Sequence, residues 1–334
     1  MNLIIPMAGM GKRMRPHTLT TPKPLLKVAG KPIVQWLIED IANVCDEKID
    51  EIGFVIGEFG SEVEENLKKI ATDVGATGRI FHQEEALGTG HAILCAREVL
   101  RGDVIVAFAD TLFRADFTLD RTKDGVIWVQ KVDNPSSFGV VKYNDEQIIT
   151  DFVEKPEEFV SDLAIIGIYY FKSGETLESE LQYLIDNDIK DKGEFQITDA
   201  MENMKNKGML FTPGAVDEWL DCGNYSVTVN TNQRVLVNKK QQFSIAEGRF
   251  DESVKIHEPC FIGEGVELKN CEIGPFVSVG NHSKLKNCVI SNSIVGENSE
   301  LIRLHCENSM IGNHVCLEGS PKEYSIGDYS VMKQ

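Results

Sequence analysis

No stretch of this 334-residue chain is apolar for long enough to cross a bilayer, which takes about 20 consecutive apolar residues. The start, Met1-Asn-Leu-Ile-Ile-Pro6, lacks the basic opening and sustained apolar core of a secretory signal, so a cytoplasmic protein is expected. There is no Cys-x-x-Cys, and the eight cysteines (45, 95, 222, 260, 271, 288, 306 and 316) form no ligand cluster with histidine. That argues against a cysteine metal site and for reduced, packed thiols. Positive charge is scarce: 34 Lys and Arg stand against 52 Asp and Glu, a net charge of −18. Neither nucleic acid nor a membrane surface is an expected partner. Low-complexity tracts are missing and 42% of the chain is apolar, enough for a large core and for two domains.

One absence is local. Residues 1–38 contain no Asp or Glu but hold Lys12, Arg13, Arg15, Lys23, Lys27 and Lys31. Charge is screened over about 8 Å in physiological salt, so this excess acts locally, and a small polyanion is the expected ligand. The same stretch carries Leu3-Ile-Ile-Pro-Met-Ala-Gly-Met-Gly-Lys-Arg-Met-Arg-Pro16, with Pro22-Lys23-Pro24 behind it. An apolar run feeds two glycines, then cations, then prolines that forbid a helix, which describes a loop at the end of a strand. Gly9 and Gly11 allow backbone N–H groups to approach an anion without a Cβ in the way. The spacing matches neither the Walker P-loop nor the Rossmann fingerprint.

Further along, strand and helix patterns alternate. Helices are expected after Pro32, from Ser61 to about Val74 behind a Ser61-Glu-Val-Glu64 capping box, and from Thr89 to Leu100. Strands are expected at Glu51–Gly57, Arg79–His82 and Val104–Ala109. The alternation implies a Rossmann-like α/β fold, a mostly parallel mixed sheet flanked by helices, with ligands at the carboxyl ends of the strands. Both the opening loop and Asp110 lie at such ends. From Gly125 more strands follow, then helices near Glu175–Asp186, Phe195–Asn206 and Asn224–Asn238. The remainder repeats: Ile262-Gly, Ile273-Gly, Val279-Gly, Val295-Gly, Ile311-Gly and Ile326-Gly recur with six-residue spacings, and Leu268-Lys-Asn-Cys-Glu-Ile273 echoes Leu285-Lys-Asn-Cys-Val-Ile290. This is the pattern of a hexapeptide-repeat parallel β-helix, with small loops expected at 303–308 and 321–325. The expected division is a catalytic domain over 1–238, a linker over 239–255 and a left-handed β-helix over 256–334.

Gly9-Met-Gly-Lys-Arg-Met-Arg-Pro-His-Thr18 followed by Pro22-Lys-Pro-Leu-Leu26 resembles the signature of the sugar-1-phosphate nucleotidyltransferases, the nucleoside-diphosphate-sugar pyrophosphorylases. Further matches follow in the family's order: Gln83 with Leu87-Gly-Thr-Gly-His-Ala92, Ala109-Asp110, Phe138-Gly139, Val153-Glu-Lys-Pro156, Gly167-Ile-Tyr, Gly193-Glu194 with Thr198-Asp199, and Trp219-Leu-Asp221-x-Gly223. The resemblance implies attack of a sugar 1-phosphate on the α-phosphorus of a nucleoside triphosphate, with release of pyrophosphate. Catalysis then consists of positioning and electrostatics. It implies that Ala8, Gly9, Gly11 and Lys12 hold the triphosphate while Arg13 and Lys23 are the catalytic cations. Lys12 departs from the Ser or Thr usual in the family. Gln83, Gly88 and Thr89 belong to the nucleotide side, and Gly139, Glu154, Lys155, Gly167 and Glu194 to the sugar-phosphate side. Asp110 and Asp221 are the implied ligands of Mg²⁺, a hard cation suited to carboxylates and phosphate oxygens.

The run from Gln83 to Ala92 is most similar to bacterial N-acetylglucosamine-1-phosphate uridylyltransferases. A carboxamide at Gln83 can pair with the O4 and N3–H edge of uracil or thymine, and by rotating can suit cytosine. UTP or dTTP is the favoured donor, and glucose or N-acetylglucosamine 1-phosphate the favoured acceptor. Guanylyl transfer to mannose 1-phosphate and adenylyl transfer to glucose 1-phosphate are the alternatives within the class. A noncatalytic regulatory or scaffolding subunit is the alternative outside it, opposed by the full set Arg13, Lys23, Asp110, Lys155 and Asp221. His17, His82 and His91 read as packing or loop-capping residues, because this chemistry needs no general base. The β-helix lacks a clear catalytic pair for acyl transfer, and assembly into a homo-oligomer or binding of an effector is its expected task.

Overall fold

The structure is a computed structural model and describes all residues except 46, 117, 247, 320–324 and 333–334. Close contacts divide the chain into two compact units, Met1–Gly9 with Leu37–Trp219, and Met10–Trp36 with Leu220–Gln334. These bounds differ from the expected division because the cation-rich loop groups with the C-terminal part of the chain.

The first unit is an α/β fold. Strands β1 (Asn2–Pro6), β2 (Glu51–Ile56), β3 (Thr77–His82) and β4 (Val104–Ala107) pair in parallel. Helix α1 (Ile33–Cys45) begins beside the boundary between the units, while α2 (Ser61–Asp73) and α3 (Thr89–Cys95) connect the parallel strands. β5 (Gly125–Lys131), β6 (Gly139–Tyr143), β7 (Ile149–Glu154), β8 (Leu163–Phe171) and β9 (Phe211–Ala215) complete a nine-stranded sheet. Its path runs β7-β6-β8-β4-β1-β2-β3, with β5 pairing β8 and β9. β8 runs antiparallel to β4, β5 and β6, which makes the sheet mixed. Buried aliphatics from β1 and β4 and from α4 (Gly174–Asp186) and α5 (Ile197–Asn206) fill one core that includes Ile4, Val104, Val106, Leu177, Leu181 and Met201. Fully burying each such side chain stabilises by about 1.5–3 kcal/mol.

Two local expectations fail. Ser61 lies inside α2, whose cap is Gly60 at φ 85° with no side-chain hydrogen bond, so the capping box is not formed. The positive φ of Gly60 sets the start of this helix one residue earlier than the serine would. The helix expected to reach Leu100 ends at Cys95 and continues as a 3₁₀ turn over Arg97–Val99.

The second unit contains the loop 10–36, helix α6 (Tyr225–Asn238) capped by the Asn224 side chain, and a parallel β-helix. Three ladders form its faces, beginning at Val254–Ile256, Phe261–Ile262 and Glu267–Lys269. Inside, Ile262, Val279, Val295 and Ile311 stack on one face and Leu268, Leu285, Leu301 and Leu317 on another. Cys271 and Cys288 sit in equivalent buried places, and all eight cysteines are free. Corners take positive φ at Asn270, Asn287 and Arg303, where asparagine tolerates the left-handed region better than most residues. The loop expected at 303–308 is instead a strand, His305–Glu307, in register with Val289–Ser291. Of the loop expected at 321–325, residues 321–324 lie outside the described residues. A column of buried serines was not foreseen: Ser299 N donates to Ser283 Oγ at 3.1 Å and Val315 N to Ser299 Oγ at 3.1 Å. These hydroxyls satisfy backbone groups that burial would otherwise leave unpaired.

Candidate active site

In the second unit the cation-rich loop contains three 3₁₀ turns, His17–Leu19 lying between the other two, Lys12–Met14 and Lys23–Leu25. Gly11 joins them. Its φ of 56° is left-handed, and a Cβ there would lie 3.0 Å from Lys23 Cβ and 3.1 Å from Thr18 Cγ2. Only glycine lets the two turns close on each other. Thr18 Oγ1 donates to Gly11 O at 2.8 Å and fixes the closure. Met14 anchors the first turn in the interior, Arg13 and Lys12 are exposed, and Lys23 is largely buried. At Gly9, in the first unit, a Cβ would meet no protein atom within 4 Å. Backbone there is open to a ligand.

Asp221 ends a short strand, and its backbone oxygen accepts from the buried Thr231 hydroxyl at 2.7 Å. A Cβ at Gly223 would stand 2.8 Å from Asp221 Oδ2, so glycine leaves space for that carboxylate. In the first unit Asp110 lies in the turn after β4. The flanks of this turn are tied to β8: Phe108 N donates to Gly167 O at 2.9 Å and Thr111 Oγ1 to Ile166 O at 2.9 Å. Gly167, at φ 87°, sits where the register of β8 shifts. Both carboxylates are hard oxygen donors of the kind Mg²⁺ takes beside phosphate oxygens. Among the described residues no cluster of three or more His, Cys, Asp or Glu could hold a metal.

Gln83 follows β3. Its Nε2 donates to Gly88 O at 3.2 Å and lies 3.1 Å from His91 Nδ1. Burial holds the His91 pKa below its ordinary value, with Glu85 opposing, so the neutral ring offers an acceptor. Gly88 has φ 114°, and a Cβ there would lie 2.5 Å from Phe195 O. The backbone meets across this gap: Gly90 N donates to Phe195 O and Phe195 N to Leu87 O, each at 2.8 Å.

Gly139 faces Glu154 across the β6–β7 pair, and a Cβ at Gly139 would lie 2.9 Å from Glu154 Oε2 and 3.6 Å from Thr198 Cγ2. Lys155 has φ 42°; its N donates to Phe138 O at 3.1 Å and its Nζ stands 3.2 Å from Glu154 Oε1.

Gln196 and Lys192, passed over in the sequence, lie on this ground beside Thr198 and Asp199. Gln196 is buried; its Oε1 accepts from Thr89 Oγ1 at 3.0 Å while its Nε2 donates to Glu194 Oε2 at 3.1 Å. Thr89 Oγ1 also accepts from Ile197 N at 3.0 Å. A continuous path of hydrogen bonds therefore joins the Gly88-Thr89 turn to Glu194. Lys192 Nζ donates to Lys155 O at 3.1 Å. Asp199 Oδ2 and Thr198 Oγ1 are buried without a hydrogen-bond partner. Burial first, then the Asp191 and Glu154 carboxylates, raise the Asp199 pKa to about 6. Their position in a Glu-Phe-Gln-Ile-Thr-Asp run was visible, but their burial was not. His17 is buried, as a packing role requires, and burial lowers its pKa to about 4 against the opposing charge of Asp328.

The glycine turn with its cations in one unit, and the carboxylate at a strand end of the mixed α/β sheet in the other, are each suited to phosphate chemistry. The family model described as nucleotidyl transferase matches residues 3–237. The chain is 30% identical over 321 residues to the low-salt glycan biosynthesis nucleotidyltransferase Agl11 of Haloferax volcanii, covering 87% of this chain and 86% of that one. It is 27% identical over 366 residues to the glucose-1-phosphate thymidylyltransferase of Streptomyces antibioticus, covering 100% and 99%. With the bifunctional protein GlmU of Methanococcus vannielii it shares 31% identity over 275 residues, 80% of this chain and 62% of that protein. A solved UDP-glucose pyrophosphorylase complexed with UDP-glucose has the same fold, with TM-score 0.59 and 22% identity over 71% of this chain and 99% of that one. The chain belongs to the nucleotidyl transferase family, as an enzyme of the sugar-1-phosphate class. No helix among the described residues is long and apolar enough to cross a membrane.

Proposed function

We propose that the protein transfers a nucleotidyl group from UTP or dTTP to glucose 1-phosphate or N-acetylglucosamine 1-phosphate and releases pyrophosphate. In this reading the backbone at Ala8, Gly9 and Gly11 and the side chain of Lys12 hold the triphosphate. Arg13 and Lys23 balance the charge that builds as pyrophosphate leaves. Lys155 and Lys192 take the sugar phosphate, and Glu154 and Glu194 accept hydrogen bonds from sugar hydroxyls in a space kept open by Gly139 and Gly167. Asp110 and Asp221 would hold Mg²⁺, which supplies charge neutralisation at the phosphates. No side chain is a nucleophile, since the sugar phosphate is already an anion. The catalytic module would span 1–238, the linker 239–255 and the β-helix 256–334, the last supporting a homo-oligomer in a cytoplasmic enzyme.

The observation that carries the base assignment is the occupied amide nitrogen of Gln83. With Nε2 donating to Gly88 O and, in the His91 tautomer protonated at its Nε2, to His91 Nδ1, the group left for a base is the Oε1 acceptor. An acceptor suits the N3–H of uracil or thymine, whereas cytosine N3 and adenine N1 are acceptors at the corresponding ring position and offer it only their exocyclic amines; guanine N1–H would satisfy it as well. This reading uses one point of the two-point pairing expected from the sequence, and it supports uracil or thymine over cytosine. The names of the relatives, a glucose-1-phosphate thymidylyltransferase and a UDP-glucose pyrophosphorylase, agree with this choice. The test is pyrophosphate release with Mg²⁺, each of UTP, dTTP, GTP, CTP and ATP, and a panel of sugar 1-phosphates. Turnover with UTP or dTTP is expected, and turnover confined to CTP, ATP or GTP would refute the assignment.

A further inference from the structure

The cation-rich loop is fastened to the β-helix on both sides of Lys23. On the near side, Thr20 Oγ1 donates to Asp328 Oδ2 at 2.5 Å, His17 Nε2 lies 3.3 Å from Ser325 Oγ, and a Cβ at Gly327 would come within 2.9 Å of Pro16 Cβ. On the far side, Lys27 Nζ pairs with Glu297 Oε1 at 2.7 Å. Ala29 N donates to the fully buried Asn232 Oδ1 at 2.9 Å, and the same oxygen takes Ser278 Oγ at 2.6 Å. Asn232 Nδ2 donates in turn to Phe276 O at 3.3 Å. At Gly30 a Cβ would lie 2.3 Å from the Phe261 ring, so the hairpin turn rests directly on the β-helix.

Asp328 has two tasks. Its Oδ1 accepts from Asn313 N at 2.7 Å, the same service that Asn281 Oδ1 gives Glu264 N at 2.9 Å and Asn313 Oδ1 gives Glu297 N at 2.8 Å. The repeat thus explains one oxygen of Asp328. Its other oxygen leaves the repeat and holds the loop.

We propose that Asp328, through Thr20, and Ser278, through Asn232, are positioning residues for the triphosphate loop, so that the β-helix sets where Lys23 stands. The proposal rests on the reading of this loop as the triphosphate site. Gly11 leaves Lys23 the room that a Cβ, 3.0 Å from Lys23 Cβ, would take, and a cation stabilises a developing charge best when it need not reorganise. Releasing either anchor frees the segment that carries Lys23 while leaving the sugar-phosphate residues of the other unit as they are.

The test uses the full chain with Thr20→Val, Asp328→Ala, Asp328→Asn and Ser278→Ala. A hydrogen bond of this kind nets about 0.5–1.5 kcal/mol, equal to roughly two- to tenfold. Thr20→Val, Asp328→Ala and Ser278→Ala should each raise the KM for the triphosphate by that factor and leave the KM for the sugar phosphate within about twofold. Asp328→Asn keeps an oxygen for Asn313 N and offers an N–H to Thr20 Oγ1, and it should restore the native KM. Unchanged triphosphate KM in all variants overturns the proposal, as does an equal rise for both substrates accompanied by a lower melting temperature, which marks a purely structural role. Calorimetric binding of inorganic triphosphate supplies a readout without turnover, expected to weaken in Thr20→Val. If the native chain binds triphosphate but turns over no substrate pair, the functional reading fails while the binding series still decides the proposal. A native chain that binds no triphosphate overturns both.

Discussion

Replacing Gln196 with methionine separates the base-side turn from the sugar side without removing a group that touches either substrate in the account given. Methionine keeps the length of the side chain and loses both polar contacts, the 3.0 Å bond from Thr89 Oγ1 and the 3.1 Å bond to Glu194 Oε2. The fold should hold, since the backbone bonds of Gly90 with Phe195 and of Phe195 with Leu87 are untouched, and Ile197 N still reaches Thr89 Oγ1. A neutral hydrogen bond nets about 0.5–1.5 kcal/mol and one to a carboxylate about 1.5–3 kcal/mol. Glu194 is exposed, which moves its share to the low end, and the two together amount to about 1–2 kcal/mol of orientation. That corresponds to a fall in kcat/KM for the sugar phosphate of roughly five- to thirtyfold. Initial rates of pyrophosphate release, with sugar phosphate varied at saturating triphosphate and then the reverse, measure it. A kcat/KM for sugar phosphate within about twofold of native, in an active enzyme, would refute the idea that Gln196 orients Glu194.

Asp110→Asn should abolish turnover and leave the circular dichroism spectrum and melting unchanged; full activity would remove Asp110 from the metal site. His17 should make stability depend on acid: its pKa falls from 6.5 to about 4 in the folded chain, so the full contribution is present above pH 6.5 and is lost as the pH drops toward 4. The limit is about 3 kcal/mol, read as a flatter melting profile in His17→Gln over that window. Asp199 has the opposite sign, because its pKa is raised from 3.8 to about 6 by burial and by its acidic neighbours. Its ionised form penalises the fold above pH 6, so Asp199→Asn should stabilise by about 1–3 kcal/mol at pH 8 and by nothing at pH 4.

Periodicity reveals what repeats, and here it was informative. Alternating strands and helices before Gly125 gave the parallel part of the sheet, and the Leu268–Ile273 and Leu285–Ile290 echo gave the coil of the β-helix, with those leucines stacked in register. The order of strands was not legible, because β8 enters between β4 and β6 through contacts far apart in the chain. Ser61 looked like a cap and is not one, since the positive φ of Gly60 competes for the same place. Ser283 and Ser299 look like any surface serine until the coil closes over them. In the candidate site, Gly11 and Gly139 were visible as motif members, and the structure adds the neighbours that demand glycine there. Gln196 carries no signal of its own, because its importance lies in which side chains it joins. Nothing local marks Thr20 and Asp328 as partners across 308 positions of sequence.

The central claim concerns which phosphorus is attacked, and it is tested by incubating the protein with Mg²⁺, glucose 1-phosphate or N-acetylglucosamine 1-phosphate, and UTP or dTTP labelled at the α-phosphorus. The label should move into a nucleoside-diphosphate sugar in step with the release of unlabelled pyrophosphate. Label left in a nucleoside diphosphate, with the γ-phosphoryl group passed to the sugar phosphate or released as orthophosphate, would contradict it.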